Sequence, residues 1–255
     1  MAVRAVLFDL DLTLWRIASG ASELAAAELR AMVRSHQVQR VLGALRDAAG
    51  ENMPAEAVCE AAMTFLDDLW ASLMAGNESA DDLREVEAAA LLLAAIKERG
   101  FEASAEVARA VWAASYVPYP HFPLELYDDT LSTLDSLRDR GLRMAVVTNS
   151  PWPGRVRQPD IGALGLGEYV NAVVSSGDVG YRKPHAFVFE RALAAIGVEP
   201  REAVMVGDSL VNDVLGAQKL GITGVWKRNG RGTDDVAEAD FVISDLNDLL
   251  ALPLF

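Results

Sequence analysis

The apolar positions change rhythm twice along the chain. Residues 3–8, Val-Arg-Ala-Val-Leu-Phe, form a short and nearly continuous apolar run that stops at Asp9. That is the pattern of a buried strand. From about Trp15 to Tyr116 the rhythm becomes helical, rich in Ala, Leu and Glu. Segments 22–36 (extendable through 38–50), 54–76, 80–100 and 104–116 read as helices. Gly50, Gly76 and Gly100 stand where three of these would stop, and Ser104 stands where the last would start. The stretch predicts a compact bundle of about four helices.

Pro118, Pro120 and Pro123 then mark a linker that resists helix. Beyond them, strand and helix patterns alternate. Residues 128–141 predict a helix with Leu131, Leu134 and Leu137 on one side and Gly141 as its stop. Residues 144–150 and 171–176 hold strands. Residues 184–197 predict a helix with Pro184 near its start and Gly197 after its end. Residues 203–209 hold another strand, 212–221 a helix, and 223–227 and 241–244 the last strands. Near-continuous apolar strands alternating with helices imply an α/β, doubly wound parallel sheet, Rossmann-like and covered on both faces. The helical stretch is an insertion after the first strand. The expected division is a core of 1–15 and 118–255 with an inserted domain of 16–117.

Composition narrows the function. The chain has 255 residues, 51% of them hydrophobic, enough for a sizeable core. A net charge of −14 argues against nucleic acid or an anionic membrane surface as partner, since both reward clustered Lys and Arg. No apolar run is long enough to span a bilayer, and no signal peptide is read at the start. The single cysteine, Cys59, cannot form an internal disulfide and reads as a small buried apolar residue in a reducing, cytoplasmic protein.

The chemistry gathers at strand ends. In open parallel sheets, ligands bind beyond the carboxyl ends of the strands. There stand Asp9 and Asp11 after the first strand, Thr148 and Asn149 after 145–147, and Asp208 and Ser209 after 203–206, with Asp213 following. Lys183 precedes a helix start. Carboxylates gathered so closely repel one another unless a hard divalent cation such as Mg²⁺ joins them. Lysine supplies a point charge for a phosphoryl oxygen and Thr148 a hydroxyl donor. A carboxylate can attack phosphorus, and a second acid two residues on can protonate the leaving oxygen.

The set FDLDLT, VVTNS, RKP and VGDSLVND, in that order, resembles the four motifs of the haloacid dehalogenase superfamily. The resemblance implies Asp9 as nucleophile, Asp11 as acid/base, and Thr148, Asn149 and Lys183 at the phosphoryl group. It implies Mg²⁺ held by Asp9, Asp208 and the backbone carbonyl of Asp11, with Asp213 supporting it directly or through water. The insertion is similar to the family's helical cap, which closes the site and selects substrate. The implied activity is hydrolysis of a small phosphorylated metabolite by a monomer or homodimer. The alternatives are a phosphomutase, a 2-haloacid dehalogenase and a non-catalytic binding protein on the same fold. Leu12 departs from the pattern, standing where Gly or Asn is frequent; a left-handed backbone there would be strained, and the turn is expected to adapt.

Other residues have plainer readings. Asp213 or Asn212 could cap the helix that follows, Ser209 reads as a cap or supporting donor, and His185 as solvated or capping. Trp15, Trp112, Tyr116, Tyr119 and Phe122 cluster near the ends of the insertion and read as packing, with Trp15 a candidate pocket residue. Arg155 and Arg157 read as part of a solvated loop, with anion steering as the alternative.

Overall fold

The computed structural model describes residues 2–22, 26–48, 53–74, 83–230 and 238–255. It divides into two units, one of Met1–Ser19, Leu83–Glu85 and Pro123–Phe255, the other of Gly20–Asp82 and Val86–Phe122.

In the first unit β1 (Ala5–Phe8), β4 (Arg143–Thr148), β5 (Ala172–Ser175), β6 (Ala203–Gly207), β7 (Thr223–Lys227) and β8 (Phe241–Ile243) form one sheet. Its order is β5-β4-β1-β6-β7-β8 and every pairing is parallel. The apolar runs are continuous because both faces are covered. On one face Ala5, Leu7, Ala145, Val147 and Met205 pack with Val188, Phe189, Ala192 and Leu193 of the helix Ala186–Ile196. Val6, Phe8, Val146, Val204 and Val206, which alternate with them, are equally buried. Burying Phe189 alone contributes roughly 1.5–3 kcal/mol. That helix starts where His185 Nδ1 accepts from the Phe187 N–H at 3.2 Å and stops at Gly197, whose φ of +65° suits a residue without Cβ.

Register positions the site. Phe8 lies opposite Val146 in β4 and Val206 in β6. The residues that follow, Asp9, Thr148 and Asp208, therefore emerge at one edge of the sheet.

Several elements differ from the sequence expectation. Trp15 does not open a helix: β2 (Trp15–Ile17) pairs antiparallel with β3 (Leu124–Leu126), aided by the Arg16–Glu125 ion pair at 2.8 Å. The helix Thr130–Asp139 buries Thr130, Thr133, Leu134 and Leu137, while Leu131 is 40% exposed. The buried stripe follows i, i+3, i+4, i+7 from Thr130, which turns Leu131 one residue, about 100°, away. Residues 210–215 wind as a π-helical turn before a short α-helix, Gly216–Gln218. Ser209, not Asn212 or Asp213, caps this turn, its Oγ accepting from the Asn212 N–H at 3.2 Å.

The second unit is helical: Ala26–Ala48, Ala55–Met74, Ala88–Glu98 and Ala105–Ala114. The first runs on from the segment 22–36 into the extension through 38–50 that the sequence allowed, within the described residues. Val41, Leu45, Val58, Ala62, Leu92, Ile96, Val107 and Val111 are buried, as is Cys59. Ser104 Oγ caps the last helix by accepting from the Val107 N–H at 3.2 Å. Gly50 and Gly76 lie outside the described residues; Gly100 follows its helix with φ +83°. Of the helix expected over 80–100, residues 80–82 lie outside the described residues, 83–87 are not helical, and the helix runs Ala88–Glu98. Ahead of it, the Arg182 N–H donates to the Leu83 carbonyl and the Glu85 N–H to the Gly180 carbonyl, so 83–85 pairs as extended chain. Among the described residues no helix is long and apolar enough to cross a membrane.

Candidate functional site

Asp9 continues straight out of β1, its N–H donating to the Val206 carbonyl at 2.9 Å. Its carboxylate accepts from Thr13 Oγ1 on Oδ2 at 3.0 Å and from Lys183 Nζ on Oδ1 at 2.5 Å. Lys183 Nζ also lies 2.7 Å from Asp213 Oδ1 and donates to the Val147 carbonyl at 2.8 Å. The ammonium thus bridges two acids over the end of β4. Asp9, Lys183 and Asp213 are all buried. Carboxylate oxygens of Asp9, Asp208 and Asp213 lie within 4.8 Å of one another.

The π-helical turn explains how Asp213 reaches this place. Asp213 Oδ2 accepts from the Ser209 N–H at 3.0 Å, and the carboxylate lies against Gly207. A Cβ at Gly207 would stand 2.2 Å from Asp213 Oδ2, so only glycine ends β6 this way. π turns recur where a functional side chain must be re-aimed.

Electrostatics follow from burial. Desolvation pushes the Asp9 carboxyl up to about 6, opposed by Lys183 and helped by the charges of Asp213 and Asp11. Desolvation likewise raises Asp213. Burial works against the Lys183 charge, but Asp213 and Asp9 together outweigh it and hold the ammonium above the ordinary lysine range. Three carboxylates against one ammonium leave negative charge unbalanced in a desolvated place. The donor set is all oxygen, and in hardness and charge it fits a divalent cation.

Asp11 sits beside this cluster. Its Oδ1 accepts from Trp15 Nε1 at 2.8 Å and from Arg157 Nη2 at 2.9 Å; Thr148 Oγ1 is 3.4 Å from Oδ2. Arg157 is 7% exposed and its guanidinium lies 5.3 Å from the Trp15 ring centroid. Arg157 therefore does not belong to a solvated loop; it points inward from the helix Gly154–Ala163, while Arg155 is exposed. Trp15, fully buried, holds Asp11 rather than serving only as packing.

Asn149 is placed differently from the expectation that it binds substrate. Its Oδ1 accepts from the Lys183 N–H at 2.7 Å and its Nδ2 donates to the Lys183 carbonyl at 3.1 Å. Its side chain seats the lysine. Leu12 does not adapt away from the left-handed region; its φ is +64°. Sequence reasoning assigned no role to Thr13, although its place four residues after Asp9 in the first motif was the available signal. For Arg157 the sequence offered a solvated loop or anion steering but not its bond to Asp11, because helical phase and tertiary contact decide where it points.

A family model described as haloacid dehalogenase-like hydrolase matches residues 3–221. The chain is 37% identical over 156 residues to a phosphoserine phosphatase of Thermus thermophilus, covering 61% of this chain and 60% of that protein. It is 35% identical over 138 residues to a glyceraldehyde 3-phosphate phosphatase of Methanopyrus kandleri, covering 50% of this chain and 56% of the relative. The chain thus spans under two thirds of the length of these relatives. Among solved structures, a HAD phosphatase from Thermococcus onnurineus is similar with a TM-score of 0.54 and 25% identity, over 98% of this chain and 97% of that one. A 2-haloacid dehalogenase from Pseudomonas syringae shares the fold at a TM-score of 0.61 and 23% identity, over 98% and 97%. Carried by a match through most of its length, the chain belongs to the haloacid dehalogenase-like hydrolases.

Proposed function

We propose that this protein is a Mg²⁺-dependent phosphomonoester hydrolase that acts on a small phosphorylated metabolite through a phospho-aspartate at Asp9. The observation that carries the reading is the cluster of Asp9, Asp208 and Asp213 oxygens within 4.8 Å, bridged on one side by Lys183. The named phosphatase relatives support the substrate class.

Asp9 attacks phosphorus with one carboxylate oxygen, and the bond from phosphorus to the leaving oxygen breaks. Asp11, held by Trp15 and Arg157, gives its proton to that oxygen. Asp11 then takes a proton from the water that attacks the phospho-aspartate, which releases phosphate and restores Asp9. Lys183 and Thr148 hold phosphoryl oxygens, and Asn149 keeps Lys183 in place. Asp9, Asp208, Asp213 and the Asp11 carbonyl would hold Mg²⁺, which supplies charge neutralisation at the phosphoryl group. Asp11 and Asp208 together favour phosphate transfer over dehalogenation, for which a second acid and a cation are unnecessary. The insertion 16–117 has the role of a substrate-selecting cap, on the strength of its place in the chain between Asp9 and Thr148. A cytoplasmic setting agrees with the free, buried Cys59.

The test is hydrolysis of an aryl phosphate by the purified protein. Turnover should require Mg²⁺, vanish with chelator and be abolished in Asp9→Asn with folding retained. Chelator-resistant turnover, wild-type rates in the variant, or release of halide from a haloacid in its place would overturn the reading.

A further inference from the structure

Among the described residues, two that are not glycine have positive φ: Leu12 at +64° and Asn229 at +51°. They lie 217 positions apart and are bonded to each other. Asn229 Nδ2 donates to the Leu12 carbonyl at 2.7 Å. Asn229 Oδ1 in turn accepts from Lys227 Nζ at 2.6 Å, and that ammonium stands 3.4 Å from the Tyr127 ring centroid. Lys227 is the last residue of β7 and is buried. The Tyr127 N–H donates back to the Leu14 carbonyl at 3.3 Å. The tight turn after Asp9 is therefore fastened from the far side of β6 by a polar chain rooted in the sheet.

Leucine in the left-handed region is unfavourable, because its Cβ crowds the backbone. Such backbone persists where the surroundings over-determine it. Here the turn is closed from within by the Leu12 N–H donating to the Trp15 carbonyl at 2.7 Å, and from outside by Asn229. Leu12 is 42% exposed, so its side chain is not packed tightly enough to hold the backbone itself. Asn229 combines two properties that suit the task. Its amide can donate to one carbonyl while accepting from an ammonium, and asparagine tolerates positive φ better than most residues.

We infer that Asn229, oriented by Lys227, is a positioning residue that holds the left-handed Leu12 turn and thereby aims the Asp11 carboxylate. The inference rests on the assignment of Asp11 as acid/base. It predicts a loss in the chemical step, because the Asn229 amide is engaged by the Leu12 carbonyl and Lys227 and acts on the aim of a proton donor.

A double-mutant cycle on aryl phosphate hydrolysis tests it. Asn229→Ala should lower kcat on the order of tenfold with KM changed less than about twofold, and Asn229→Asp, which cannot donate to a carbonyl, should behave like the alanine variant. Introduced into a Leu12→Gly background, where positive φ carries no Cβ penalty, Asn229→Ala should cost less than about threefold. An equal loss in both backgrounds, or a rise in KM without a fall in kcat, would overturn the inference. A crystal structure of Asn229→Ala reads the same claim without turnover. Leu12 should leave its positive φ or Asp11 should lose its contact with Trp15; an unchanged turn would refute the positioning role. Absence of turnover in the parent protein would instead count against the phosphatase reading, and the crystal structure would then decide the inference alone.

Discussion

At the scale of the residue, the site is defined by which partner each polar atom finds. Lys183 is divided among Asp9, Asp213 and the Val147 carbonyl, so its position is fixed on three sides. Asp11 is held at one oxygen by both Trp15 and Arg157. If Arg157 orients Asp11, then Arg157→Ala should lower kcat for phosphate ester hydrolysis on the order of tenfold to a hundredfold, as small misplacements of a proton donor do. Arg157→Lys, which keeps a charge but loses the planar fork, should recover only part. Steady-state kinetics of the two variants check this. Equal rates for alanine and wild type would show that Trp15 alone suffices.

At the scale of the element, the decisive piece is the junction of β6 with the π-helical turn Leu210–Leu215. An ordinary strand-to-helix connection needs only a cap, which Ser209 provides. This one must also bring a buried carboxylate against the strand end, and Gly207 leaves the room. Gly207→Ala is predicted to cost about 1–3 kcal/mol of stability, as overpacking does, and to weaken Mg²⁺ binding by displacing Asp213. Denaturant unfolding and calorimetric Mg²⁺ titration of the variant test both halves. Unchanged Mg²⁺ affinity would remove Asp213 from the ion's surroundings.

At the scale of the whole molecule, the site draws on folding stability. Asp9 is buried with its carboxyl raised to about 6 by desolvation, whereas an unfolded aspartate titrates near 3.9. Between those values the folded state binds more protons than the unfolded one, so this group makes stability fall as pH rises through the window. The Asp9→Asn variant lacks that ionisation. In chelator, its melting temperature relative to wild type should therefore climb as pH goes from 4 to 7. If the ionised cluster of the folded state binds Mg²⁺ as proposed, saturating Mg²⁺ should reverse the trend for wild type. Thermal melts of both proteins across that range, with and without Mg²⁺, decide the matter; a pH-independent difference would contradict the linkage.

The sequence by itself determined the parallel α/β core, because continuous apolar runs such as Ala203–Val206 and apolar-striped helices such as Ala186–Ile196 state their period locally. It also marked the acids and Lys183, since each stands where a strand ends or a helix begins. It did not determine that Trp15–Ile17 pairs with Leu124–Leu126, that Arg157 turns inward, that Asn149 grips the Lys183 backbone, or that Asn229 fastens Leu12. Those are contacts between residues 34 to 217 positions apart, and only tertiary structure decides them. A local pattern fixes the face on which a side chain lies, but its partner depends on where the rest of the chain has packed.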